Sequence, residues 1–284
     1  MIQPSLFVSH GAPTFALEAS ASAQALNALA KRLSRPRAIL IISAHWLTTD
    51  LQVGHHPQPP TVHDFWGFPE SLYTLRYPAP GAPEIADEVL ACLADAGIAA
   101  NANAGRGLDH GAWVPLMRLY PDAKVPVLPL SLPASTTPAE LLAIGRALQP
   151  LRATGVLVIG SGGITHNLGD LRSDGSPVPV YVTEFMGWIA AMIAAGDLDA
   201  LTDYRSRAPG AARAHPSAEH LLPLFVAIGA AGAAWQASSR LLGGVSYGVI
   251  GMDHYLFGLP PDWAENETEE TKTTPLHPPQ GVPA

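Results

Sequence analysis

The feature that most constrains this 284-residue chain is the stretch at 37–46, Arg-Ala-Ile-Leu-Ile-Ile-Ser-Ala-His-Trp, an apolar run that stops abruptly at Ser43, Ala44 and His45. A run of this length and β-branched content suits a strand buried on both faces, as in parallel sheets covered by helices. Such folds bind ligands outside the carboxyl ends of their strands. His45 therefore stands where chemistry is expected. Two other stretches share the pattern: the apolar run at 5–8 leads into Ser9, His10 and Gly11, and the run at 156–159 leads through Gly-Ser-Gly-Gly to His166. A lone histidine at a strand end is most often structural, satisfied by a backbone carbonyl. Three at equivalent ends converge on one sheet edge, and imidazole is the commonest protein ligand for zinc and iron. A shared metal is the expectation.

Between these strands the pattern alternates. Helices are expected over 19–33, 83–96, 138–148, 182–195 and 198–205, and an apolar one from Pro223 to about Ala231; further strands are expected at 51–56 and 125–132, with a β-like segment containing His254 at 243–257. There is no internal repeat and no Ser/Gly linker. The fold class expected is α/β, a single domain over residues 1–262 with a mostly parallel central sheet, helices on both faces and the metal site at the strand carboxyl edge. Residues 263–284 turn acidic and then Pro-rich, and a disordered tail is expected there.

Composition narrows the function classes. With net charge -8 and no clustered Lys/Arg stripe, nucleic acid and anionic membranes are excluded as partners. No apolar window is long enough to span a bilayer and no signal-peptide pattern opens the chain, so a cytoplasmic location is expected. The single cysteine, Cys92, lies in the amphipathic segment 83–96; it excludes an intramolecular disulfide and a cysteine zinc site, so nitrogen and oxygen must hold any metal.

Two more histidines have carboxylate neighbours. His110 lies between Asp109 and Gly111 just ahead of a helix. The helix dipole favours its neutral form and the acid its charged form, a setting that can be tuned for proton transfer. His220 follows Glu219 at the mouth of the apolar helix. The irregular stretch 57–83 carries His63, Phe65, Trp66 and Phe68 where polar residues would suffice. Long aromatic loops beside a sheet's carboxyl edge line pockets, which makes these residues substrate-binding candidates; packing on the body or at a subunit interface is the plainer alternative. The Gly-Ser-Gly-Gly turn fits neither a dinucleotide fingerprint, since position 165 is Thr, nor a nucleophile elbow.

Taken together, His10 in Ser-His-Gly-Ala-Pro, His45 in Ser-Ala-His-Trp, His110 in Asp-His-Gly-Ala-Trp, His166 in Ile-Thr-His-Asn-Leu and His220 in Glu-His-Leu-Leu-Pro-Leu resemble the class III extradiol ring-cleavage dioxygenases of the LigB-like superfamily, in particular the 4,5-DOPA extradiol dioxygenase branch. The resemblance reaches about Gly251. It implies Fe(II) for activity, with Zn(II) also able to occupy the site; His10, His45 and His220 as ligands, with His166 a fourth when substrate is absent; and His166 and His110 as acid/base groups. In more distant ring-cleaving relatives the third ligand is a glutamate, which brings in Glu219. It further implies a catechol substrate, DOPA or a related one, reacting with O2 to a muconic semialdehyde-type product. A zinc-dependent hydrolase and a non-catalytic binding protein on the same fold are the competing readings, and the sequence is compatible with a homo-oligomer.

Overall fold

The computed structural model describes residues 2–260 and Trp263. Strands and helices alternate as the apolar runs require. β1 (Ser5–Ser9) is followed by α1 (Ala21–Arg32), β2 (Ala38–Thr48), β3 (Gln52–Gly54), α2 (Glu70–Thr74) and α3 (Pro83–Asp95). Next come β4 (Asn101–Asn103), α4 (His110–Leu119), β5 (Val127–Pro133), α5 (Pro138–Ala153) and β6 (Val156–Gly162). The helices α6 (Val180–Ala195), α7 (Leu198–Thr202), α8 (Tyr204–Arg207) and α9 (Ala211–Ala214) precede α10 (Pro223–Ala231). The chain returns to the sheet through β7 (Ser238–Leu241), a ribbon of β8 (Val245–Ser246) and β9 (Ile250–Gly251), and β10 (His254–Phe257).

Eight strands form one sheet in the order β4-β3-β5-β2-β6-β1-β10-β7. Its centre, β5-β2-β6-β1, is parallel, and antiparallel pairing is found at its flanks, β3 with β5, β10 with β1 and β7 with β10. The parallel centre is what the near-continuous apolar runs demand: β1 and β6 are buried throughout, and β2 is buried from Ala38 to Ala44. α10 packs on α5, β6 and β1, while α4 packs on β2 and α1. In register, Ser9 lies opposite Gly162 and Ser43 opposite Ser161, so the carboxyl ends of β1, β6 and β2 stand side by side.

Two buried polar residues tie this frame together. Arg152 donates to the carbonyl oxygens of Gln3, Ala230 and Gly258, joining the chain's start, the end of α10 and the end of β10. His254 accepts the Ser9 amide at Nδ1 and therefore carries its proton on Nε2, 2.9 Å from Ser22 Oγ. Trp263, which the sequence assigns to the tail, packs on the body: Arg32 donates to its carbonyl at 2.7 Å and lies 4.1 Å from the centre of its ring. The rest of the expected tail lies outside the described residues.

Candidate metal centre

His10 leaves the end of β1, as the sequence predicts. β2, by contrast, does not end at His45 but runs on to Thr48, and its pairing with β5 slips between Ile42 and Leu47. Such an irregularity re-aims a side chain, here the imidazole of His45. His220 arrives two residues before the cap of α10. The glycines of the Gly-Ser-Gly-Gly turn make that approach possible: a Cβ at Gly160 would stand 2.2 Å from the Pro223 carbonyl oxygen, and one at Gly162 1.9 Å from that of His220. Gly160 to Gly162, read from sequence as a turn, are the last residues of β6 and give a surface for close backbone contact.

The hydrogen-bond network sets the tautomers. Ser161 Oγ donates to the Gly111 carbonyl at 2.5 Å, so it can only accept from His10 Nδ1, 3.0 Å away. His10 then presents a bare Nε2. His220 Nδ1 faces Glu219 Oε1 at 3.1 Å, which leaves its Nε2 bare as well, and His45 turns Nδ1 toward Asp64 Oδ2 at 3.7 Å. The three Nε2 atoms meet: His45 Nε2 is 3.0 Å from that of His10 and 3.3 Å from that of His220. Nitrogens about 2 Å from one metal ion lie about 3 Å from each other, so this donor set fits a metal. Burial, followed by repulsion from neighbouring imidazoles, holds His10 and His220 well below the usual histidine range. Burial brings His45 down to about 3, with His110 adding to the effect and Asp64 opposing it. Neutral imidazoles with converging lone pairs are the form a cation requires. Glu219 meets the other ring nitrogen of His220, and its carboxylate, His166 and His220 form a second group of close candidate donors.

His110 and His166 flank the three. The ring of His110 is 4.0 Å from that of His45, and that of His166 stacks on His220 at 3.4 Å. His110 is the first residue of α4, and its partner is not its neighbour Asp109. Asp109 caps the helix through Ala112 N, accepts Ser43 Oγ at 2.6 Å and pairs with Arg106 at 2.5 Å. Asp64 from the aromatic loop takes the role instead, accepting both the backbone amide and Nδ1 of His110 at 2.9 Å. Burial pushes Asp64 up, but the hydrogen bonds from His110 outweigh it and hold the carboxyl at about 2. Burial lowers His166 to about 4, with Glu219 opposing.

These side chains open into a cavity of about 530 Å³ lined by His45, Asp64, His110 and His166 together with Phe65, Trp66, Phe68, Leu168, Leu171, Tyr247 and Ile250. The aromatic loop thus reaches the site through Asp64, Phe65, Trp66 and Phe68. His63, predicted among the substrate-binding residues, is not among the lining residues; it meets the Leu75 carbonyl at 3.1 Å and sits edge-on to Phe65 and Trp113, bracing the loop from behind. Asp64 and Ser161 are the participants that the sequence reading missed. A carboxylate embedded in a run of aromatics was the available signal for Asp64.

A family model for the catalytic LigB subunit of aromatic ring-opening dioxygenase matches residues 5–251. A 4,5-DOPA dioxygenase extradiol of Beta vulgaris is 40% identical over 235 residues, 81% of this chain and 88% of that protein. One of Escherichia coli (strain K12) is 37% identical over 232 residues, 80% of this chain and 84% of the relative. A crystal structure of an uncharacterized protein from Escherichia coli K12 superposes with a TM-score of 0.76 at 30% identity, covering 90% of this chain and all of the other. The chain belongs to the LigB family, that of the catalytic subunit of aromatic ring-opening dioxygenase.

Proposed function

We propose that the protein is an Fe(II)-dependent extradiol dioxygenase that inserts O2 into a catechol, DOPA-like or related, to give a muconic semialdehyde-type product. The observation that carries this reading is the meeting of three bare Nε2 atoms, His10, His45 and His220, beside two further histidines on one cavity. His10, His45 and His220 would hold the metal, with His166 near enough to join them when substrate is absent. Iron bound there would bring the two catechol oxygens and O2 together and supply the electron that activates oxygen. Zn(II) suits the same nitrogen donors and is expected to compete for the site.

The chain's own groups handle protons and orientation. A ring nitrogen of His166, neutral above about pH 4, receives a catechol proton. His110 Nε2 takes up the second hydroxyl proton of the catechol and returns it as the ring opens, while Asp64 at Nδ1 balances the imidazolium charge and fixes the ring, as the carboxylate does in a catalytic triad. Phe65, Trp66 and Phe68 enclose the aromatic substrate. Among the described residues no helix is long and apolar enough to cross a membrane, and we infer a cytoplasmic enzyme with a small-molecule substrate.

The test is anaerobic loading with Fe(II), followed by oxygen uptake and product absorbance over a catechol panel. Stoichiometric uptake with a semialdehyde chromophore is expected. Hydrolytic turnover with zinc, and no uptake with iron, would favour a hydrolase.

A further inference from the structure

β2 delivers His45 from its interior, not from its end, and the strand is irregular around it. Ile42 pairs with Leu130 and Leu47 with Leu132, so Ser43, Ala44, His45 and Trp46 stand opposite Ser131 alone. Backbone displaced from a regular ladder needs other partners. Side chains supply them here: the His45 amide donates to Ser43 Oγ at 3.2 Å, and its carbonyl accepts from Arg106 Nη2 at 3.4 Å.

One buried carboxylate holds both of these side chains. Asp109 is 0% exposed; its Oδ1 accepts from Ser43 Oγ at 2.6 Å and its Oδ2 from Arg106 Nη2 at 2.5 Å. Ser43 thus gives its hydrogen to Asp109 and keeps a lone pair for the His45 amide. Arg106 is fixed from two further directions, its own amide donating to Asn103 Oδ1 at 3.0 Å and its guanidinium lying 5.1 Å from the centre of the Trp46 ring. Its Nε is buried with no partner among the described residues, a cost that a solvent-facing rotamer would avoid. Gly111 makes room for the cluster, since a Cβ there would collide with Ser43 Oγ and stand 3.0 Å from His45 Cδ2. Capping α4 through Ala112 N engages only one oxygen of Asp109 and needs neither the serine nor the arginine.

We propose that Asp109, Ser43 and Arg106 are positioning residues for His45, clamping the irregular backbone of β2 to the start of α4 and so setting where His45 Nε2 meets the nitrogens of His10 and His220. The same carboxylate fixes His45 relative to His110, the first residue of α4, whose ring is 4.0 Å away. This rests on the reading of His45 as a metal ligand.

The test is Co(II) binding to the full-length protein under anaerobic conditions, measured by competition with a chelator and by the visible bands of the bound ion, which report its ligand geometry. Ser43→Ala and Arg106→Met each remove one side of the clamp and leave the Asp109 cap on α4 in place. Both should bind Co(II) about 10- to 100-fold more weakly, the usual effect of losing a group that orients a ligand, and both should show altered bands. Arg152→Lys is the stability control, because Arg152 bonds the carbonyls of Gln3, Ala230 and Gly258 at the opposite end of β1. It should lower the melting temperature and keep the wild-type affinity and bands. Wild-type affinity or wild-type bands in both clamp variants, or an equal loss in the control, overturns the proposal; if Arg106→Met does not fold, Ser43→Ala decides alone. His45→Ala separates the two readings: wild-type Co(II) binding without that ring defeats the ligand reading, whereas loss in His45→Ala with none in the clamp variants defeats this inference alone.

Discussion

Gly162 lies directly beneath His220, close enough that a Cβ would stand 1.9 Å from the His220 carbonyl oxygen, while the next amide, Gly163 N, donates to that oxygen at 2.9 Å. One residue of β6 thus sets how near the α10 segment comes to the sheet, and with it the place of a candidate metal ligand.

Gly162→Ala should push His220 away and lower bound iron after reconstitution about 10-fold or more, with the far-UV spectrum retained. Gly163→Ala is the control, because its Cβ would meet nothing closer than 3.4 Å. Metal analysis of both variants decides; equal iron in the two would disconnect the glycine contact from the site.

Ser161→Ala leaves His10 in place but removes the acceptor for its Nδ1 proton. Loss of such an orienting partner costs about 10- to 100-fold in metal affinity. Competition with a chelator would measure it, and an unchanged affinity would mean that the backbone of β1 alone positions the ring.

Acid should weaken the fold through two buried histidines outside the candidate ligand set. Burial brings both His254 and His215 from 6.5 to about 4. Since the folded pKa is the lower one, the unfolded chain takes up protons first: stability is full above pH 6.5 and falls until about pH 4, by about 3 kcal/mol for each residue. Urea titrations from pH 7.5 to 4.5 should show this loss, and His254→Gln should flatten its share of the slope. A parallel slope in the variant would contradict the assignment.

The legible and illegible parts of this molecule differ for physical reasons. His10, His45 and His166 could be placed because buried parallel strands must be nearly continuous apolar runs, so a histidine at the end of one is conspicuous. β7 could not, being four residues long with no period to read, and β8 and β9, two residues each, were legible only as one β-like segment at 243–257. The partner of His110 was sought in Asp109 because the two adjoin, yet an N-cap aims its carboxylate at the helix amides, and the distant Asp64 fills the role. Gly160 and Gly162 were weighed against phosphate and nucleophile motifs and read as letting the backbone approach a metal, whereas their close neighbours are the backbones of His220 and Pro223. Paired glycines inside a buried strand also announce a close backbone neighbour, and that reading was available. His63 shows the converse limit: its place in an aromatic loop was legible, but which rings face the cavity depends on tertiary packing.

A truncation after Trp263 is expected to keep its melting temperature and its activity. Ending the chain at Pro260 removes the ring over Arg32 and should cost about 0.5–1 kcal/mol. Thermal melts of the two truncations distinguish these outcomes, and a large loss in the longer one would assign a structural role to residues 264–284.

The final prediction separates holding metal from moving protons. His110 and His166 border the cavity beside the three converging nitrogens, and each lies outside the pair of short Nε2 contacts that joins His10, His45 and His220. General acid/base groups contribute about 10²- to 10⁴-fold, so His110→Ala and His166→Ala should lose that much in kcat/KM while iron remains bound. His166→Ala should also loosen the metal slightly if this ring serves as a fourth ligand, whereas His110→Ala should not. Asp64→Asn tests the link between the loop and His110: it preserves the side-chain shape but removes the charge that balances an imidazolium and allows the wrong tautomer. Its loss should appear in kcat, and combining it with His110→Ala should add little further, since the carboxylate acts through that ring. Turnover at saturating Fe(II), with metal content measured on the same samples, decides the matter. Near-wild-type rates in both histidine variants would remove the proton-transfer proposal, and additive losses in the double variant would give Asp64 a role independent of His110.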